Sequence, residues 1–77
     1  MTYWNHRVVK ESMSNGDDWY TVREVFYNDN DTIHVYMKEA VDISGENIED
    51  LREYCEWILK CFDKPVLNEE DLPENPF

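Results

Sequence analysis

Apolar and polar positions alternate along the first part of the chain. In TYWNHRVVK, from Thr2 to Lys10, an extended backbone puts Trp4, His6 and Val8 on one side and Tyr3, Asn5, Arg7 and Val9 on the other. Aromatic and β-branched residues dominate, so the segment reads as a strand. Ser14-Asn15-Gly16-Asp17 is a turn signal, and Asp18 to Tyr27 follows as a second strand with Tyr20, Val22 and Phe26 on one face, interrupted by Glu24. Asn28-Asp29-Asn30-Asp31 supplies residues that hydrogen-bond their own backbone in turns. Thr32 to Lys38 is then a third strand with Ile33, Val35 and Met37 alternating. The pattern predicts a three-stranded antiparallel meander.

After a connector from Glu39 to Gly45 the period changes. Asn47 is the best helix N-cap, with Glu49 and Asp50 in the first turn, where the helix dipole favours negative charge. Ile48, Leu51, Cys55, Ile58 and Phe62 recur at spacings of three and four, flanked by Tyr54, Trp57 and Leu59. Lys60 and Lys64 suit the far end of the helix, and Pro65 stops it. The fold class is therefore α+β: a β-β-β meander with one C-terminal helix packed on one face, forming a single domain over residues 1–65. Residues 66–77 read as an extended or frayed acidic tail with Pro73, Pro76, Glu69, Glu70, Asp71 and Glu74.

One helix covers one side of a sheet. Strand residues such as Tyr3, Trp19, Val25, Tyr27 and Tyr36 are thus expected to leave the second face partly apolar and exposed, as a surface for a partner or for a second copy of the chain.

Charge narrows the partners. The chain of 77 residues carries 7 basic and 18 acidic side chains, net -11, with a pI near 4.3. With 42% hydrophobic and 14% aromatic residues it still has the means to fold, although repulsion among carboxylates works against a small core and salt should help it. Phosphate backbones and anionic membranes would be repelled, whereas a basic protein surface is complementary. Residues 1–45 hold four basic and eight acidic side chains, and residues 46–77 three and ten, so the acidity concentrates in the helix and tail. No apolar run approaches the roughly 18 residues of a membrane span, and MTYWNHRVV lacks a signal-peptide core, which predicts a cytoplasmic protein.

Candidate chemistry is sparse. Cys55 and Cys61 lie six apart in one predicted helix, a rise of about 9 Å that turns them to different sides, so they read as packed, reduced thiols. Asp29 and Asp31 fail as a calcium loop because His34 and Ala40 stand where Gly and Glu are needed. His6, His34 and the cysteines match no zinc spacing. With only Gly16 and Gly45 there is no phosphate loop, and neither a nucleophile elbow nor HExxH occurs. Eighteen acids guarantee that some carboxylates lie close together, but nothing singles out a pair. The expectation is no catalytic residue, no cofactor and no metal.

The motifs YWNHRVV (Tyr3 to Val9), EVFY (Glu24 to Tyr27), SGENIEDLREY (Ser44 to Tyr54) and DKPVLNEEDLP (Asp63 to Pro73) are together similar to a small family of uncharacterised bacterial and phage proteins. Its members open with a YWN-x-RVV strand and end with a KPVL segment. The resemblance covers nearly the whole chain and brings no activity with it. More loosely, Gly45-Glu46 through Glu49-Asp50-Leu51 resembles the Gly-acid-x-x-x-Glu lead-in to the helix of HicB-type antitoxins, although the proline-rich loop of that family has no counterpart here. That resemblance implies a β-β-β-α half and a small basic RNA-cleaving toxin as partner.

The functional expectation is a non-enzymatic acidic regulator or inhibitor that binds a protein with a basic surface. Asp50, Glu53, Glu56, Glu69, Glu70 and Asp71 are its candidate charged contacts, and Trp19, Tyr27 and Trp57 its candidate anchors. A phage origin would direct it at a nucleic-acid-handling host enzyme, with carboxylates in a groove meant for phosphates. The alternatives are a HicB-like antitoxin, a homodimeric accessory protein, and an enzyme or small-ligand protein.

Overall fold

A computed structural model describes residues 3–73. Strand β1 (Tyr3–Ser12) pairs antiparallel with β2 (Asp18–Tyr27) over the full length of both, Tyr3 opposite Tyr27 and Ser12 opposite Asp18. The turn between them closes with Met13 N–H donating to the Asp17 carbonyl at 2.8 Å. Gly16 takes the left-handed conformation there, at φ 90°. At the next turn Asp31 adopts φ 67°, a conformation Asp tolerates better than most side chains, and its carboxylate accepts the Tyr3 hydroxyl at 2.8 Å. Strand β3 (Ile33–Tyr36) then pairs antiparallel with β2.

The expected alternation of Ile33, Val35 and Met37 does not survive in β3. Pairing shifts between Phe26 and Tyr27, so that Tyr36 faces Val25, Val35 faces Phe26 and Ile33 faces Tyr27. This bulge puts Ile33 and Tyr36 on the same face, with Val25 and Tyr27. Beyond it the chain still tracks β2 irregularly, Met37 N–H donating to Glu24 and Val41 N–H to Val22.

Helix α1 (Ile48–Leu59) begins where the sequence predicts. The Asn47 side chain accepts the Asp50 N–H at 2.8 Å, and Glu49 and Asp50 occupy the first turn. The helix tightens into a 3-10 turn at Lys60–Asp63 before Pro65. It packs through Ile58, Cys61 and Tyr54 on Val8, Val22 and Val41. The predicted apolar stripe is buried only in its middle. Ile48 at its start and Phe62, in the 3-10 turn beyond its end, are exposed.

The closing segment departs most from expectation. After Pro65 the chain returns along the outer edge of β1, and β4 (Leu67–Asn68) pairs with it in parallel, Leu67 opposite Val9, giving a four-stranded mixed sheet in the order β3-β2-β1-β4. A 3-10 turn at Glu69–Asp71 follows. Leu67 and Leu72 cover Val25, Tyr27 and Tyr36, so this part of the second face is a core and not an exposed surface, while Tyr3 and Trp19 stay exposed on it as expected. Residues 66–73 thus belong to the folded unit, and the part of the expected tail at 74–77 lies outside the described residues.

Candidate functional site

The nine candidate contact residues fall into three groups. Asp50, Glu53 and Glu56 are exposed on α1, and Trp57 beside them is 46% exposed. On the opposite side of the sheet lie Trp19, which is exposed near the β1–β2 turn, and the acidic run Glu69, Glu70 and Asp71. Tyr27 belongs to neither surface. It is 5% exposed, stacks on Tyr3 at 4.7 Å, donates its hydroxyl to Asn5 Oδ1 at 2.9 Å and accepts from Arg7 Nη1 at 3.0 Å.

The carboxylates differ in what they already hold. Glu69 is 3.3 Å from Arg23 Nη2, whose guanidinium also meets Glu11 at 2.9 Å. Asp50, Glu53 and Glu56 take part in no ion pair among the described residues. Three carboxylates outside any ion pair therefore stand on the helix that carries the half-exposed indole.

That indole is held by an aromatic cluster between α1 and β1. Trp57 meets His6 edge-on with centroids 4.7 Å apart and planes at 89°, and meets Trp4 at 5.4 Å; Tyr54 closes on His6 from the next turn back at 6.0 Å. Strand alternation turns Trp4 and His6 towards the helix, and the three-residue spacing of Tyr54 and Trp57 turns both towards the sheet. Trp4 stays 41% exposed, so the two tryptophans form an apolar ledge at the rim of the acidic helix face.

His6 itself is 4% exposed, with its Nε2 buried and without a hydrogen-bond partner. Burial holds the imidazole below its ordinary pKa, against the opposite pull of Glu24 across the strand pair. His6 also lines a cavity of about 170 Å³ with Asn5, Trp57, Lys60, Cys61 and Lys64. Cys61 is a free thiol pushed up in pKa by burial, which is the wrong direction for a nucleophile. A second depression, about 330 Å³, lies against the closing segment between Lys10, Tyr36, Glu69 and Leu72.

No group of three or more His, Cys, Asp or Glu among the described residues is arranged to hold a metal ion, and no helix is long and apolar enough to cross a membrane. No known protein family, curated protein or solved structure matches the chain.

The sequence singled out the helix carboxylates and Trp57 but missed the cavity at the far end of the helix. The alternation of β1 does place His6 beside Trp4. Nothing in the spacing brings Lys60 and Lys64 back to β1, because that depends on the 3-10 turn that follows the helix.

Proposed function

We propose that the chain is a non-enzymatic acidic binding protein that docks the outer face of α1 on a basic surface of a protein partner and regulates or inhibits it. One observation carries this reading: Asp50, Glu53 and Glu56 are exposed and join no ion pair among the described residues, on the same helix as Trp57, a half-exposed ring anchored from behind by His6 and Trp4. A tryptophan pre-ordered by packing loses little side-chain freedom on binding, and carboxylates around it steer a basic partner and set its register. A nucleic-acid-handling enzyme is the natural class of target, since its phosphate-binding groove presents the complementary charge.

The β-β-β-α order supports a second reading, a HicB-like antitoxin. Gly45 lies so close to the first turn of α1 that an added Cβ would sit 2.7 Å from the Leu51 nitrogen, so the glycine of the resembling lead-in has a steric reason to be there. Under this reading the partner is a small basic toxin.

Both readings are tested by capturing partners from native extract on wild-type protein and on an Asp50→Asn/Glu53→Gln/Glu56→Gln variant, at low and raised salt. A stoichiometric partner that the variant holds at least about tenfold more weakly, and that salt releases, supports the helix-face docking. A partner indifferent to both salt and substitution, or recovery of the chain only with itself, overturns it.

A further inference from the structure

The apolar residues of α1 do not all face the sheet. Cys55 and Leu59 follow Ile48 by about two and about three turns, so the three stand in one line along the helix. Phe62 extends that line, because residues three apart eclipse each other in the 3-10 turn that continues from Leu59. Ile48, Leu59 and Phe62 are 73%, 59% and 63% exposed, and Cys55 between them is partly buried. Trp57 comes about two and a half turns after Ile48 and therefore stands on the opposite flank.

The flank that carries the line overlooks bare sheet. The chain enters α1 after Val41, which bonds to Val22 on β2, and leaves it at Pro65, which bonds to Arg7 on β1, so the helix crosses both strands. Trp57 reaches Trp4 and His6, towards the start of β1, and the opposite flank consequently looks towards the β1–β2 turn. There the next helix-side residues after Val8 and Val22 are Lys10 and Tyr20, directly opposite each other, and Tyr20 is exposed. Helix flank and sheet thus make a step, with Leu59 and Phe62 on its wall and Tyr20 on its floor. Beside the line, one position further along at each heptad, run Glu49, Glu56 and Asp63, all exposed and in no ion pair among the described residues. Arg52 is the one base that α1 sets against its four acids.

We infer that this step is a docking groove for a basic amphipathic helix of a partner protein. The apolar stripe of the incoming helix packs against Ile48, Leu59, Phe62 and the Tyr20 ring, and lysines or arginines along its outer edge meet Glu49, Glu56 and Asp63. The line from Ile48 to Phe62 is about 20 Å long, the length of about four turns. Charge selects the occupant. A second copy of the chain brings the same carboxylate row on its own α1 and a net charge of -11, so it is repelled where a basic helix is attracted. The groove lies on the flank away from Trp57 and does not rest on the docking proposed above.

The test is fluorescence anisotropy of a labelled leucine–lysine peptide of about 18 residues, its leucines ordered on one face of a helix, titrated with the intact chain at about 0.15 M salt. A scrambled peptide of the same composition controls for charge alone. The ordered peptide should bind with a dissociation constant of about 10 μM or tighter, gain helical circular dichroism, and shift the Tyr20 and Leu59 NMR signals. Leu59→Asn/Phe62→Ser should weaken it at least about tenfold while every charge stays in place, and Ile48→Gln, at the other end of the line, should weaken it as well. All three side chains are exposed, so the variants keep the fold, which their amide spectra check. Equal binding of the scrambled peptide, undiminished binding by both variants, or a wild-type dimer in sedimentation that these substitutions dissociate would each overturn the assignment.

Discussion

Arg7 and Arg23 stand directly opposite each other across β1 and β2. Like charges at that spacing destabilise a sheet, and each guanidinium finds relief in the last part of the chain. Arg7 donates to the Pro65 carbonyl at 2.7 Å, and Arg23, 3% exposed, reaches Glu69 at 3.3 Å as well as Glu11 at 2.9 Å and the Met37 carbonyl at 3.2 Å. Part of the acidity in the closing segment thus has a structural use, holding β4 and Leu72 over the second core.

Arg23→Gln should therefore cost about 3 kcal/mol in urea unfolding, because it leaves two carboxylates facing a buried site with no counter-charge. Glu69→Gln should cost no more than about 1 kcal/mol, since that side chain is 37% exposed and water screens the pair. Equal losses in the two variants would contradict Arg23 as the pin.

Acid should act on the fold through His6. Its folded pKa lies below its ordinary value, so as pH falls through about 6.5 the unfolded chain takes up the proton first and stability drops, until pH passes below the folded value. Around the imidazole stand Glu24 from β2, Tyr54 and Trp57 from α1, and Lys60 and Lys64 at the cavity; only Glu24 favours the proton. Thermal melts between pH 7.5 and 5.5 should show a decline in wild type that a His6→Gln variant lacks, the difference between the two curves removing the relief that all carboxylates share on protonation.

The two glycines should fail for different reasons. Gly45→Ala forces a methyl against the Leu51 backbone at 2.7 Å and should cost about 1–3 kcal/mol, with the start of α1 losing amide protection. Gly16→Ala meets no atom within 4 Å, so its cost, about 1–2 kcal/mol, is that of the left-handed backbone alone. An Asn at residue 16 should recover part of the second loss and none of the first at residue 45.

A chain ending after Pro65 should keep its hairpin and helix signals yet bind a hydrophobic dye and lose cooperative unfolding. Val25, Tyr27 and Tyr36 would lose the cover of Leu67 and Leu72. Cooperative unfolding of that shortened chain at wild-type stability would show that the second core stands without its cover.

The β1–β2 hairpin, the turn residues and the Asn47 cap were legible because each rests on local chemistry: period-two alternation, a positive φ, a side chain within reach of a backbone N–H. The β3 bulge was not, since one skipped residue sends Ile33 and Val35 to opposite faces with no mark in composition. Nor was β4. Two residues show no period, and Leu67 and Leu72 are diluted by the acids between them, so a segment that seals a core looks like a solvated tail. Among the candidate contacts, Tyr27 could not be told from an exposed anchor without knowing that this seal exists.

The bond from Arg7 to Pro65 spans 58 residues. A ribosome makes the hairpin before Leu67 and Glu69, so until those residues emerge the nascent chain carries an open sheet face and two facing arginines with nothing from the closing segment to quiet them. Translation arrested before Leu67 would leave an adhesive, unfinished sheet for chaperones and proteases to find.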